Sequence, residues 1–128
     1  MKTYYDDGNP EFEGEYLNGE RNGKGKEYYN NGELKFEGDY LNGKRNGKGK
    51  EYCSYRLSFE GKYLNDKRNG KGKEYCSSRY HYNEISFEGE YLNGKRNGKG
   101  KEFCCYSYHY DEFLGEREDF PYLFEGEY

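Results

Sequence analysis

The frame Phe-Glu-Gly-x-Tyr-Leu-Asn opens at Phe12, Phe36, Phe59 and Phe87, and a last Phe-Glu-Gly-Glu-Tyr starts at Phe124. No other feature restricts the fold as strongly. Start-to-start spacings of 24, 23, 28 and 37 residues lie in the range of repeat arrays, where each unit is stabilised by its neighbours. The 128 residues divide into a half repeat (1–11), repeats 12–35, 36–58, 59–86 and 87–123, and a half repeat (124–128), all within one domain. The opening KTYYDDGNPE matches KEYYNNGELK at the end of the first full copy, so the chain opens on a second half and closes on a first half.

Only 31% of the residues are hydrophobic against 36% charged, values that ordinarily argue for a poor core. The apolar material is unusual in kind, however: 18 Tyr and 8 Phe, with no Ala, Val or Trp. Any core is built of aromatic rings, each burying far more area than its number suggests. The net charge of −4 comes from interleaved signs, which excludes a nucleic-acid groove. No apolar run long enough for a membrane helix, signal-peptide pattern or N-glycosylation acceptor occurs, and the chain reads as intracellular and cytoplasmic.

Asn18-Gly19 and Asn31-Gly32 lie between alternating segments, and Asn-Gly is the strongest short-range hairpin signal because both turn residues take positive φ. Read as two-residue turns, they set Tyr16 opposite Arg21, Gly14 opposite Gly23, Phe12 opposite Gly25, Tyr29 opposite Leu34 and Gly25 opposite Gly38. Alternation then gives one face Phe12, Tyr16, Phe36, Tyr40 and the glycines, and the other the charges, with Glu13 opposite Lys24 and Lys26 opposite Glu37. The fold class predicted is all-β: an elongated, twisted, single antiparallel sheet of stacked β-hairpins. Two strands per copy make it on the order of 40 Å long.

The pattern F-E-G-E-Y-L-N-G-x-R-N-G-K-G resembles the MORN (membrane occupation and recognition nexus) repeat from Phe12 to about Phe103. KEYYNNGELKFEGDY is also similar to the variant found in bacterial antitoxin-like proteins. Two departures stand out. Tyr16, Tyr40, Tyr63 and Tyr91 stand where many members have Trp, and Asp66 replaces a turn glycine, which predicts a strained but formed turn. The resemblance implies a non-catalytic binding repeat and contact with lipid headgroups, and its bacterial variant implies an antitoxin-like protein with one specific partner.

Chemistry-bearing residues are few. Cys53, Cys76 and Cys104 share one repeat position; copies two strands apart put neighbours beyond disulfide or zinc reach, so reduced structural thiols are expected. His81 and His109 sit in matching YHYNE and YHYDE segments, read as lengthened hairpins or loops rather than a metal site. GKRNGKG lacks the spacing and hydroxyl of a phosphate loop. No catalytic residue, metal, cofactor or small-molecule substrate is assigned, and no enzyme is expected.

An aromatic face needs a cover, because apolar patches beyond a few hundred Å² mark interaction sites. Phe36, Tyr40, Phe59, Tyr63, Phe87 and Tyr91 are thus the candidate partner contacts of a scaffold that binds another protein or itself. A row of basic turns, Lys44, Arg45, Lys67, Arg68, Lys95 and Arg96, is the candidate contact for anionic lipid in a membrane-docking alternative. Tyr4 and Tyr5 in one half copy and Phe124 and Tyr128 in the other are candidates for end-to-end pairing, against the alternative that the segment before Phe124 caps that edge.

Overall fold

A computed structural model describes residues 1–77, 84–103, 108–111, 116–119 and 124–128, the segments 108–111 and 116–119 by their backbone alone. Ten strands form one antiparallel sheet: β1 (Lys2–Tyr4), β2 (Pro10–Leu17), β3 (Glu20–Tyr28), β4 (Leu34–Leu41), β5 (Lys44–Cys53), β6 (Arg56–Leu64), β7 (Lys67–Tyr75), β8 (Ile85–Leu92), β9 (Lys95–Glu102) and β12 (Phe124–Glu127). Their spatial order is their order in the chain, so every neighbour is a hairpin partner apart from β12, which joins β9. β10 (Tyr108–Asp111) and β11 (Glu116–Asp119) pair separately. The predicted fold class is the one observed.

The register departs from simple counting. Tyr16 does lie opposite Arg21, but Gly14 pairs with Gly25 and Phe12 with Glu27, two residues beyond the expected partners. The cause is a bulge at Asn22-Gly23, where Gly23 takes φ +97° and adds two residues to β3 without a partner on β2. Glu13 therefore faces Lys26, not Lys24, whereas Lys26 opposite Glu37 and Gly25 opposite Gly38 stand as expected. Gly47, Gly70 and Gly98 repeat the bulge with φ between +76° and +104°.

Asn18-Gly19 forms the predicted two-residue turn, both residues having positive φ. Asn31-Gly32 does not: only Gly32 is left-handed, Gly32 N donates to Tyr29 O and Tyr29 N to Glu33 O, so Tyr28 and not Tyr29 faces Leu34. This is a type I turn closed by a glycine bulge. Asn65-Asp66 is formed at φ 49° and 70°, and the Asp66 carboxylate accepts from Arg45 N. The second copy is one residue shorter because its link to the third is a tight turn through Ser54 and Tyr55, both at positive φ.

The bulge register aligns one glycine from each long strand into a row, Gly14, Gly25, Gly38, Gly49, Gly61, Gly72, Gly89 and Gly100, continued by Gly126. Phenyl rings lie over this row. A Cβ on Gly25 would stand 2.5 Å from Phe12 Cζ, and one on Gly49 2.4 Å from Phe36 Cζ. The bare backbone lets Phe12, Phe36, Phe59 and Phe87 reach 0% exposure in a sheet one layer thick.

Candidate functional site

The aromatic face is closed by its own residues. Phe12, Phe36, Phe59 and Phe87 each meet two tyrosines edge-on, one from the same copy and one from the next. Phe36, for example, lies 5.8 Å from Tyr40 and 5.1 Å from Tyr63. Such pairs contribute about 0.5–1.5 kcal/mol beyond burial. A guanidinium roofs each ring: Arg21, Arg45, Arg68 and Arg96 sit 3.9–4.0 Å from the centroids of Phe12, Phe36, Phe59 and Phe87. Glutamates lock the roof. Glu27 accepts from Arg45 Nε at 2.8 Å and from the Tyr40 hydroxyl, Glu51 does the same for Arg68 and Tyr63, and Glu74 for Arg96 and Tyr91.

The electrostatics follow from that geometry. Burial raises the carboxyls of Glu27, Glu51 and Glu74, but the arginine and tyrosine hydrogen bonds outweigh it and hold them below the usual carboxylate range. Burial first, and then the facing carboxylate, pushes the phenols of Tyr40, Tyr63 and Tyr91 far above their ordinary value.

This arrangement corrects two expectations. Phe36, Tyr40, Phe59, Tyr63, Phe87 and Tyr91 are 0–5% exposed and form the core, so they present no surface to a partner. Arg45, Arg68 and Arg96 do not project from the turns as free cations either; they lie flat on the core in ion pairs, while Lys44, Lys67 and Lys95 remain exposed. Sequence reasoning missed the glutamate of each return strand. The signal was available, since Glu27, Glu51, Glu74 and Glu102 recur four residues after the bulge glycine.

On the opposite face runs a groove of about 860 Å³, floored by the glycine row from Gly14 to Gly89 and walled by the charged residues on either side of it. Most strands alternate in sign here: Glu13 and Glu15, then Lys24 and Lys26, then Glu37 and Asp39, then Lys48 and Lys50. Acids also cap the bulges, Glu15 accepting from Lys24 N at 2.6 Å and Asp39 from Lys48 N at 3.3 Å. A third surface is the edge of hairpin tips, where Leu17, Leu41, Leu64 and Leu92 are 48–59% exposed. Leu41, Leu64 and Leu92 pair across the turn with Lys44, Lys67 and Lys95.

At the ends, Tyr4 is 58% exposed, whereas Tyr5 is half-buried and donates to Tyr28 O. Phe124 and Tyr128 are 42% and 41% exposed, and among the described residues no strand pairs with the outer edge of β12. Tyr128 nevertheless meets Phe87 edge-on at 5.2 Å, as Tyr40 meets Phe12. Cys53 is exposed and free, but Cys76 is buried and disulfide-bonded, which corrects the expectation of reduced thiols throughout. The partner of Cys76 lies outside the described residues. Cys104 and His81 also lie outside the described residues, as does the side chain of His109.

No curated protein matches the chain. The family model of the MORN repeat matches residues 12–33, 36–54, 59–79 and 87–105, the same four copies that the glycine row joins into one sheet. MORN repeats are protein- or membrane-binding modules built on a non-catalytic frame. With more than half of its residues matched, the chain belongs to the MORN repeat family.

Proposed function

We propose that the chain is a non-enzymatic scaffold that holds a segment of a partner protein along the glycine-floored groove. The observation that carries this is the division between the two faces. The apolar rings are sealed beneath paired arginines, and the long recess lies on the other side. Eight strands line it, from Glu13 on β2 to Lys99 on β9, a length of about 34 Å at the usual strand spacing. An extended segment of about ten residues would span that length.

The test is selection of a displayed library of extended peptides against the whole chain. The selected peptides are then titrated against Lys50→Trp, which places a bulky ring in the middle of the groove wall. Loss of binding by this variant is the expected result. Peptides that bind both proteins equally place docking elsewhere and defeat the proposal.

The hairpin-tip edge favours a second role, docking on an anionic bilayer, because exposed leucines alternate there with exposed lysines. Each such lysine contributes about 1 kcal/mol near an anionic surface. Sedimentation with phosphatidylserine vesicles should then fall as salt rises and fall further in the Lys44→Glu, Lys67→Glu, Lys95→Glu triple variant; salt-independent sedimentation would reject it.

A further inference from the structure

The groove is not uniform along its length. At one wall position the first, second and fourth copies carry an acid, Glu15, Asp39 and Glu90, while the third carries Lys62. Where the acid is present it lies against the bulge. Glu15 Oε2 accepts from Lys24 N, Asp39 Oδ2 accepts from Lys48 N, and Glu90 Oε2 would stand 3.0 Å from a Cβ on Gly98. In the third copy the bulge at Gly70 meets only the aliphatic stem of Lys62, 3.5–3.6 Å from the Cβ position. Among the described residues no side chain accepts from the Lys71 amide.

Lys62 also stands directly opposite Lys48, a like-charge pair that opposes sheet formation. Lys48, Lys62 and Lys71 are all exposed and follow one another along one wall on three adjacent strands, while across the glycine row Lys50 and Lys73 each stand between two glutamates. The nearest acids of this wall flank the cluster, Asp39 beyond Lys48 and Glu90 directly opposite Lys71, and Glu60 stands in the other wall. The third copy thus lacks the carboxylate that its sister copies set against the bulge, and the stem of Lys62 covers that place among exposed lysines.

We infer that the third copy forms a carboxylate-binding site for an extended acidic segment of a partner protein. The partner's Asp or Glu supplies the carboxylate that Glu15 and Asp39 supply in the sister copies, displacing the flexible stem of Lys62 from the bulge and receiving the Lys71 amide and the Lys62 and Lys48 ammonium groups. The length of the recess suits an extended chain, and the acids Asp39 and Glu90 that flank the lysines favour a segment acidic at its centre and neutral or basic at its ends. The inference rests on the groove being the docking face, and deepens it by naming the partner's chemistry.

Fluorescence anisotropy on the full chain tests it, with a labelled peptide of about twelve residues carrying Glu at alternate positions and a counterpart carrying Gln. The Glu peptide should bind at least tenfold more tightly than the Gln peptide. Lys62→Glu, which installs the acid the other copies already tolerate, should weaken it at least tenfold, whereas Lys95→Glu at a hairpin tip, with the same change in charge, should cost less than twofold. A thermal melt of Lys62→Glu at or above the parent's midpoint shows that any loss is not unfolding.

Equal losses from both charge reversals would reduce the effect to net charge and overturn the site. Binding of phosphatidylserine vesicles that depends on Lys62, without binding of the Glu peptide, would also overturn it in favour of a headgroup. If both peptides bind alike and both are displaced by Lys50→Trp, the docking face survives and the carboxylate site does not.

Discussion

Replacing Gly49 by alanine is the sharpest test of why the sheet can be one layer thick. Gly49 lies outside the left-handed region, so its backbone accepts alanine, and by itself the change should stabilise by about 0.4–1 kcal/mol through the unfolded chain. The new Cβ, however, would stand 2.4 Å from Phe36 Cζ, 2.5 Å from Cε1 and 2.9 Å from Tyr63 Cε2. Ordinary carbon contacts need about 3.5–4.0 Å, so the ring must retreat by about 1 Å. Phe36 is 0% exposed and bounded by Tyr40, Tyr63 and Arg45, which leaves it no free direction. Overpacking of this kind costs about 1–3 kcal/mol, for a net loss of roughly 1–2 kcal/mol. Gly126→Ala is the internal control: its Cβ would meet Phe124 Cζ at 2.7 Å, but Phe124 is 42% exposed and its ring can swing outward. Urea denaturation of both variants should show Gly49→Ala destabilised and Gly126→Ala within about 0.5 kcal/mol of the parent. Equal effects would refute the claim that contact with a trapped ring, not glycine's conformational freedom, maintains the row.

Other consequences follow from the arginine roof and the turns. Glu51→Gln should cost about 1–3 kcal/mol at neutral pH, since it removes the charged partner of Arg68. Because the folded carboxyl titrates below its unfolded value of about 4.5, that stabilisation is present above pH 4.5 and is lost as pH falls through the folded value; urea midpoints of parent and variant should converge in acid, and a constant gap would contradict the pairing. Thr3 stands in β1 where the later copies have Glu27, Glu51 and Glu74, and its buried hydroxyl has no partner. Thr3→Glu should give Tyr16 and Arg21 the missing acceptor and raise stability by about 1 kcal/mol, read in the same assay; a loss would mean the network cannot extend to the first hairpin. Tyr55 holds φ 65° while 76% exposed, so Tyr55→Gly should stabilise by about 1 kcal/mol, and an unchanged midpoint would show the turn is not strained.

The sheet, its hairpins and the division of residues between two faces were legible in the sequence because they follow from a period of two and a fourfold repeat. The register was not, because Asn22-Gly23 has the same composition as the turn Asn18-Gly19. Only its distance from the turn makes it a bulge, and a strict count of alternating residues has no place for two extra ones. The same limit misplaced the function of the aromatic face. Phe36 and Tyr40 read as exposed rings in need of a partner, because pairing rules say which residues are opposite and not how far a long side chain folds back. Arg45 leaves its turn to cover Phe36 and reaches Glu27 of the preceding copy, a contact between residues 18 positions apart.

That reach also explains what the repetition does. No copy completes its own core: Phe36 needs Tyr63 of the next copy, and Glu27 receives the hydroxyl of Tyr40 and the guanidinium of Arg45, both of the next copy. A lone copy would leave a ring uncovered and an acid and an arginine unpaired, so stability accrues at the junctions, as in a linear array of coupled units. Such coupling fixes the residues of the aromatic face in every copy, since a change in one damages two. The groove walls are less constrained, as most of their charges are exposed and exposed ion pairs contribute little. A position at which one copy departs from the others can carry a message there without dismantling the frame, and Lys62 among Glu15, Asp39 and Glu90 is such a departure.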